Sequence, residues 1–163
     1  MDVDRFWELN QGLEPETAVD ELRTRLSKLE PSEIEAYQAH FDEAFASAYQ
    51  WIIWAAAYII DGGCSDDGFM DFRYGLISRG KSVFTAALSD PESLLDVAND
   101  RDDGYIPNES FGYVAGQVYK SKTGQLIPGN DVAYPSNPSG EDWDFDDERL
   151  CKQKLPKLWA KFG

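Results

Sequence analysis

Residues 51–73 read WIIWAAAYIIDGGCSDDGFMDFR, and this stretch decides the fold. Trp51 to Ile60 is apolar on every side of a helix, and such a helix must be a central one that others surround. Asp61-Gly62-Gly63 ends it, because glycine takes the left-handed cap conformation at little cost. Ser65 is placed to cap the next helix, with Asp66 and Asp67 in its first turn, where acids suit the positive end of the dipole. Setting Phe69 at zero and advancing about 100° per residue puts Phe72, Leu76 and Ile77 around a buried face centred near 20°. Arg73, at about 40°, and Asp66, at about 60°, lie on that face, while Asp67, Asp71, Tyr74 and Ser78 fall on the wet side. An unpaired buried charge costs several kcal/mol, so a guanidinium turned inward needs company. Asp66 is two turns away, about 10.5 Å along the axis. The expected partner of Arg73 is therefore an acid or a backbone carbonyl near this turn, Asp61 included. Asp61, Ser65, Asp66, Asp67 and Arg73 are the candidate binding residues. The adjacent Asp66 and Asp67 point about 100° apart and do not converge on one substrate atom as acid and base.

Upstream, the apolar run continues a helix that starts near Ser32, with Ile34, Tyr37, Phe41, Ala44 and Phe45 on one face, Pro31 in its first turn, and Ser32 and Glu35 at capping-box spacing. The spacing predicts a central helix over about 32–60. Before it, Asp2 caps a short helix carrying Val3, Phe6, Trp7 and Leu9. Pro15 opens a second helix striped by Ala18, Val19, Leu22, Leu26 and Leu29. Downstream, the helix begun at Ser65 runs to about Arg79 and resumes after Gly80 with Val83, Phe84, Ala87 and Leu88. Asp90-Pro91 starts another helix, 99–104 is a turn-rich break, and Asn108 caps a helix with Phe111, Val114, Ala115 and Val118. A long ordered loop, near 121–145, carries three prolines but also Tyr134, Trp143 and Phe145, which pin it to the body. A helix near 146–154, a break at Leu155-Pro156, and Leu158, Trp159 and Phe162 close the chain. No strand alternation, repeat or heptad pattern is found. The fold class is all-α, one helical domain over 1–163 in which 121–163 adds a loop and helix.

The 163 residues hold 30 Asp and Glu against 15 Lys and Arg, a net charge of −15. Such a field repels phosphate backbones and anionic lipid, so neither direct nucleic-acid binding nor membrane association is expected. Six acids lie within 141–148, and five bases without an acid follow between Arg149 and Phe162, an arrangement that suits a helix dipole. The opening Met1-Asp2-Val3-Asp4 lacks the basic and apolar regions of a signal peptide. Cys64 and Cys151 read as free thiols, and the expected location is cytoplasmic. With one histidine and no CxxC pair, no metal site or cofactor is expected. No phosphate loop, dinucleotide fingerprint or nucleophile elbow occurs. A calcium-loop alignment on Gly104 puts Arg101 and Ser110 at ligand positions, which spoils it. His40 reads as a half-buried structural histidine.

The order Tyr49-x-Trp51-x-x-Trp54-x-Ala56-Ala57-Tyr58-Ile59-Ile60-x-Gly62-Gly63-Cys64-Ser65-Asp66-Asp67-x-Phe69-x-x-Phe72-Arg73, then Leu76-Ile77-Ser78-x-Gly80 and Asp90-Pro91-x-Ser93-Leu94, resembles a bacterial family of unknown function, numbered 4240. The resemblance spans about residues 3–120 and implies a single helical domain without an agreed activity. A bulky residue is expected after the Phe-Arg step, where this chain has Gly75, at a position the helical wheel puts off the buried face. The favoured reading is an acidic binding or interaction module for an unidentified protein or small molecule, using the Asp61–Arg73 turn and nearby aromatics. One alternative is an enzyme whose cleft gathers Asp66, Arg73, Glu109 or His40. Another is an acidic inhibitor or immunity-type protein that occupies a basic partner. No catalytic residue can be named.

Overall fold

Short polar side chains start several of the helices, and local sequence places them. In this computed structural model, which describes residues 1–99 and 106–163, Asp2 accepts from the Arg5 N–H at 2.8 Å and opens α1 (Val3–Leu9). α2 (Ala18–Leu26) begins three residues after Pro15, which lies in the preceding turn rather than in the helix. α3 (Pro31–Ser47) has its proline at the first position, and the reciprocal cap is made by Glu33, whose carboxylate accepts from the Glu30 N–H at 3.0 Å, not by Ser32 and Glu35. α4 (Trp51–Asp61) ends on Gly62 at φ 68°. α5 (Asp66–Ser78) starts under Ser65, whose hydroxyl accepts from the Gly68 N–H at 3.1 Å. α6 (Lys81–Ser89), a 3-10 turn (Pro91–Ser93) capped by Asp90, and α7 (Leu94–Asn99) follow. Asn108 caps a second 3-10 turn (Glu109–Tyr113) leading into α8 (Val114–Thr123). α9 (Glu148–Lys154) and α10 (Pro156–Phe162) close the chain, split at Leu155-Pro156. The described residues hold ten α-helices and no strand, an all-α fold. No helix among them is long and apolar enough to cross a membrane. The expected break at 99–104 and the calcium-like spacing on it lie outside the described residues, apart from the backbone of Asn99.

The helix expected over 32–60 is two. α3 stops at Ser47 and α4 starts at Trp51, with no proline or glycine between them. The chain at Gln50 is extended (φ −132°, ψ 139°) and pairs with Ser139 from the loop between α8 and α9. The Ser139 N–H donates to the Tyr49 carbonyl at 2.9 Å, and the Trp51 N–H donates to the Ser139 carbonyl at 2.9 Å. Two backbone groups that a continuous helix would satisfy, the Tyr49 carbonyl and the Trp51 N–H, are satisfied here by a distant residue. The loop, 124–147, thus crosses the body as a strap.

α3 packs against α5 and α8, α5 against the second 3-10 turn, and α10 against α4. Burial of α5 extends well beyond one stripe: Phe69, Phe72, Leu76 and Ile77 are inside, and so are Arg73, Gly75 and Ser78. The wheel's wet side is correspondingly narrow. Gly75 lies within the packing, not off it. A β-carbon there would come within 1.8 Å of the Ile106 carbonyl oxygen, and the Asn108 N–H reaches the Asp71 carbonyl at 2.9 Å beside it. Two stretches of backbone meet where no side chain fits.

This contact sets two glycines apart. Gly75→Ala is expected to lower unfolding free energy by about 1–3 kcal/mol, because backbone must move to admit the methyl group. Gly116→Ala on α8, where a β-carbon meets only Ile127 Cγ2 at 3.8 Å, is expected to raise it by up to about 1 kcal/mol through helix propensity. Urea unfolding of the two variants beside the parent checks both signs.

Candidate functional site

α3 ends early, and its end needs a donor. The Tyr49 N–H, which would continue the helix to the Phe45 carbonyl, turns instead to Ala46 at 3.1 Å. Arg73, reaching across from α5, fills the place: its Nη1 donates to the Phe45 carbonyl at 3.2 Å. A cation at a helix C-terminus also meets the negative end of the dipole. The same nitrogen donates to the Tyr134 hydroxyl at 2.8 Å, and Nε donates to the Phe69 carbonyl one turn back at 3.4 Å. The guanidinium carbon lies 3.8 Å from the Phe45 ring centre, 4.6 Å from Tyr49, 4.8 Å from Phe69 and 5.8 Å from Tyr134. Arg73 is 2% exposed, and among the described residues no carboxylate lies within ion-pair distance of it. The acidic partner sought in Asp66 or Asp61 is absent there; ring faces and carbonyl oxygens take that role.

Those rings belong to a stacked series. It runs Trp51, Trp54, Phe69, Tyr49, Tyr134, Phe45, Tyr74, with successive centres 4.8–6.2 Å apart and planes within 27° of each other. Six rings come from α3, α4, α5 and the elbow between α3 and α4; Tyr134 comes from the strap. The strap is tied down elsewhere by Asn130, which donates to Asp42 at 2.7 Å, by Ser139 at the elbow, and by Asp146, which accepts from Tyr58 at 2.5 Å. Phe145 packs against Trp51, Trp54 and Tyr58.

Between α3, α5, α8 and the strap segment 126–134 lies a cavity of about 840 Å³. Phe41, Phe45, Tyr74, Tyr113, Ile127 and Tyr134 form most of its apolar wall, with Gln38, Asp42, Gln117, Lys120 and Asn130 as polar groups. Gly112 lets Tyr74 lie against the start of α8, since a β-carbon there would fall 2.6 Å from the ring. The Tyr74 hydroxyl is pushed up to about 12, first by desolvation, with Tyr113, Asp71 and Asp42 adding and Arg73 opposing. Three of the four large hydrophobic side chains exposed among the described residues, Tyr113, Leu126 and Tyr134, rim this cavity.

The acids named from sequence lie elsewhere. Asp66 and Asp67 are exposed, so Asp66 does not face inward as the wheel suggests. Asp61 and Ser65 line a separate groove of about 390 Å³ with Cys64 and Asp71. Although Asp61 is an exposed residue, its carboxyl is desolvated against the end of α4, which raises its pKa to about 6. Desolvation, with help from Asp61 and Asp71, pushes the Cys64 thiol up to about 12, which disfavours its thiolate form. His40 sits between Glu43 at 3.0 Å and the Met1 carbonyl at 3.1 Å, a structural position. Neither it nor Asp66, Arg73 or Glu109 lines the large cavity. Among the described residues no three His, Cys, Asp or Glu side chains group to hold a metal ion. Sequence periodicity does not reveal the cavity, because its lining comes from α3, α5, the second 3-10 turn, α8 and the strap; the one cue is aromatic and aliphatic residues inside a Pro/Gly-rich loop.

The chain belongs to the family described as protein of unknown function, DUF4240, whose model matches residues 1–121. No curated protein and no solved structure matches it. The strap and the last two helices lie beyond the matched residues, so the cavity is walled partly from inside and partly from outside them.

Arg73→Met is expected to cost about 1–3 kcal/mol of stability by leaving the Phe45 carbonyl and Tyr134 hydroxyl without their donor. Arg73→Lys is expected to recover little of that loss, because an ammonium cannot lie flat between rings; chemical denaturation of both measures it. For Asp61 the folded state holds its proton up to about pH 6, where the unfolded chain has already released it. Its contribution to stability is therefore full below the ordinary carboxylate range and is lost as pH rises through about 6. Asp61→Asn is expected to be more stable than the parent at pH 8 and no more stable at pH 3, read as the difference in thermal midpoint.

Proposed function

We propose that the protein is a small acidic binding module whose principal site is the cavity under the strap, taking a small molecule with an aromatic or aliphatic body. The observation that carries this reading is the gathering of Tyr113, Leu126 and Tyr134, exposed and apolar, around one mouth. Scattered apolar side chains are ordinary on a surface; a cluster opening onto a concavity with a few polar groups is the usual form of a ligand site. The volume of about 840 Å³ lies in the range of such sites. Arg73 serves as the post to which the strap wall is fastened. Asp61, Ser65, Asp66 and Asp67 give the module an acidic turn beside the smaller groove, where a second contact would form.

Gly116→Leu tests this site. The position lies on α8 at the cavity wall, where a β-carbon meets only the Ile127 side chain at 3.8 Å, so a leucine enters the cavity against side chain rather than backbone. A saturation-transfer NMR screen of aromatic fragments is expected to find ligands for the parent and lose them for Gly116→Leu, while the thermal midpoint of the variant is equal or higher. Fragments that bind both proteins alike would place the site elsewhere.

A further inference from the structure

We propose that the cavity selects organic cations, an ammonium or amidinium group carried on an aromatic or aliphatic body. The inference rests on the binding site proposed above and adds the charge of its ligand. Asp42 is the carboxylate of the lining, one residue from Phe41 on α3. Its Oδ1 accepts from Gln38 at 2.8 Å and its Oδ2 from Asn130 at 2.7 Å. Each oxygen keeps a further lone-pair direction, since a carboxylate offers about four such sites. Among the described residues no Lys or Arg is paired with it. The two amides hold the carboxylate in place and leave its charge uncompensated, the state in which a ligand cation gains most from it.

The walls favour the same sign. Aromatic faces are electron-rich and attract cations. Phe45 and Tyr134, which line the cavity, already do this for the buried Arg73 guanidinium. Two cations oppose. Arg73 is not part of the lining, and its donors are turned to the Phe45 and Phe69 carbonyls and the Tyr134 hydroxyl. Lys120 stands at the wall on an exposed stem, where solvent screens it. Beyond the site, a net charge of −15 concentrates cations near the surface and thins anions.

Three matched probes decide the matter on the full chain by saturation-transfer NMR: phenethylammonium, phenethyl alcohol and 3-phenylpropionate. The ammonium is expected to bind about tenfold tighter than the alcohol, and the propionate weakest. Asp42→Asn is expected to remove the ammonium's advantage and leave alcohol binding unchanged, which also shows that the cavity persists. Lys120→Met is expected to tighten ammonium binding a few-fold, roughly the worth of an exposed charge. Equal binding of ammonium and alcohol in the parent, or a preference for propionate, overturns the proposal and leaves the cavity standing as a site. Binding of none of the three, or binding that Gly116→Leu does not affect, overturns the cavity reading itself.

Discussion

A guanidinium held in the interior, with no carboxylate paired to it among the described residues, is the constraint around which this molecule is arranged. Arg73 is tolerable there because three different features share its charge: the carbonyl end of a helix, the faces of several rings, and a phenol oxygen. Each feature comes from a different part of the chain. The carbonyl requires that α3 stop at Ser47, the rings require α3, α4 and α5 to converge on one line, and the phenol requires the strap to cross at Tyr134. Remove any of them and the charge is left partly bare in a medium that solvates it poorly. The arginine thereby ties the end of α3, the body of α5 and the strap at one point.

The cavity follows from the same arrangement. The strap is held by Asn130 at Asp42 and by Tyr134 at Arg73, and its residues from Leu126 to Asn130, with Val132 and Tyr134, wall the space opposite α3 and α8. Its apolar residues face a space lined by rings, and the polar groups at the edges are few. Family membership carries no activity with it, and the matched residues stop at 121, before the strap begins. Chemistry assigned to this cavity therefore draws on residues inside the family's match, such as Asp42 and Tyr74, together with residues past it, such as Asn130 and Tyr134.

Local signals were readable in the sequence wherever a few neighbouring residues settle the outcome. Ser65, Asp90 and Asn108 cap as their spacing says, Gly62 ends α4, and the burial of Arg73 follows from its place on the stripe of Phe69, Phe72 and Leu76. The misses at the α3–α4 break, at Gly75 and at the cavity depend on distant partners, while those at Pro15, Ser32 and Asp66 are local. The chain from Pro31 to Asp61 contains no breaker, so nothing local announces a break that Ser139 makes possible. One helix's wheel places Gly75 off the buried face, while the backbone that demands a glycine there is at Ile106. Asp66 lies on the inward arc by angle but at the first helical position, where the chain emerges into solvent. The cavity needed Tyr113, Leu126 and Tyr134 to be brought together from two segments, which periodicity cannot show.

The elbow between α3 and α4 has a bearing on how the protein is made. Tyr49 and Trp51 leave the ribosome long before Ser139, the residue whose backbone completes their pairing. A continuous helix would satisfy the same peptide groups within itself, whereas the bend depends on the seating of Ser139 for two of them. The pairing at the bend is therefore completed only after Ser139 has been synthesised.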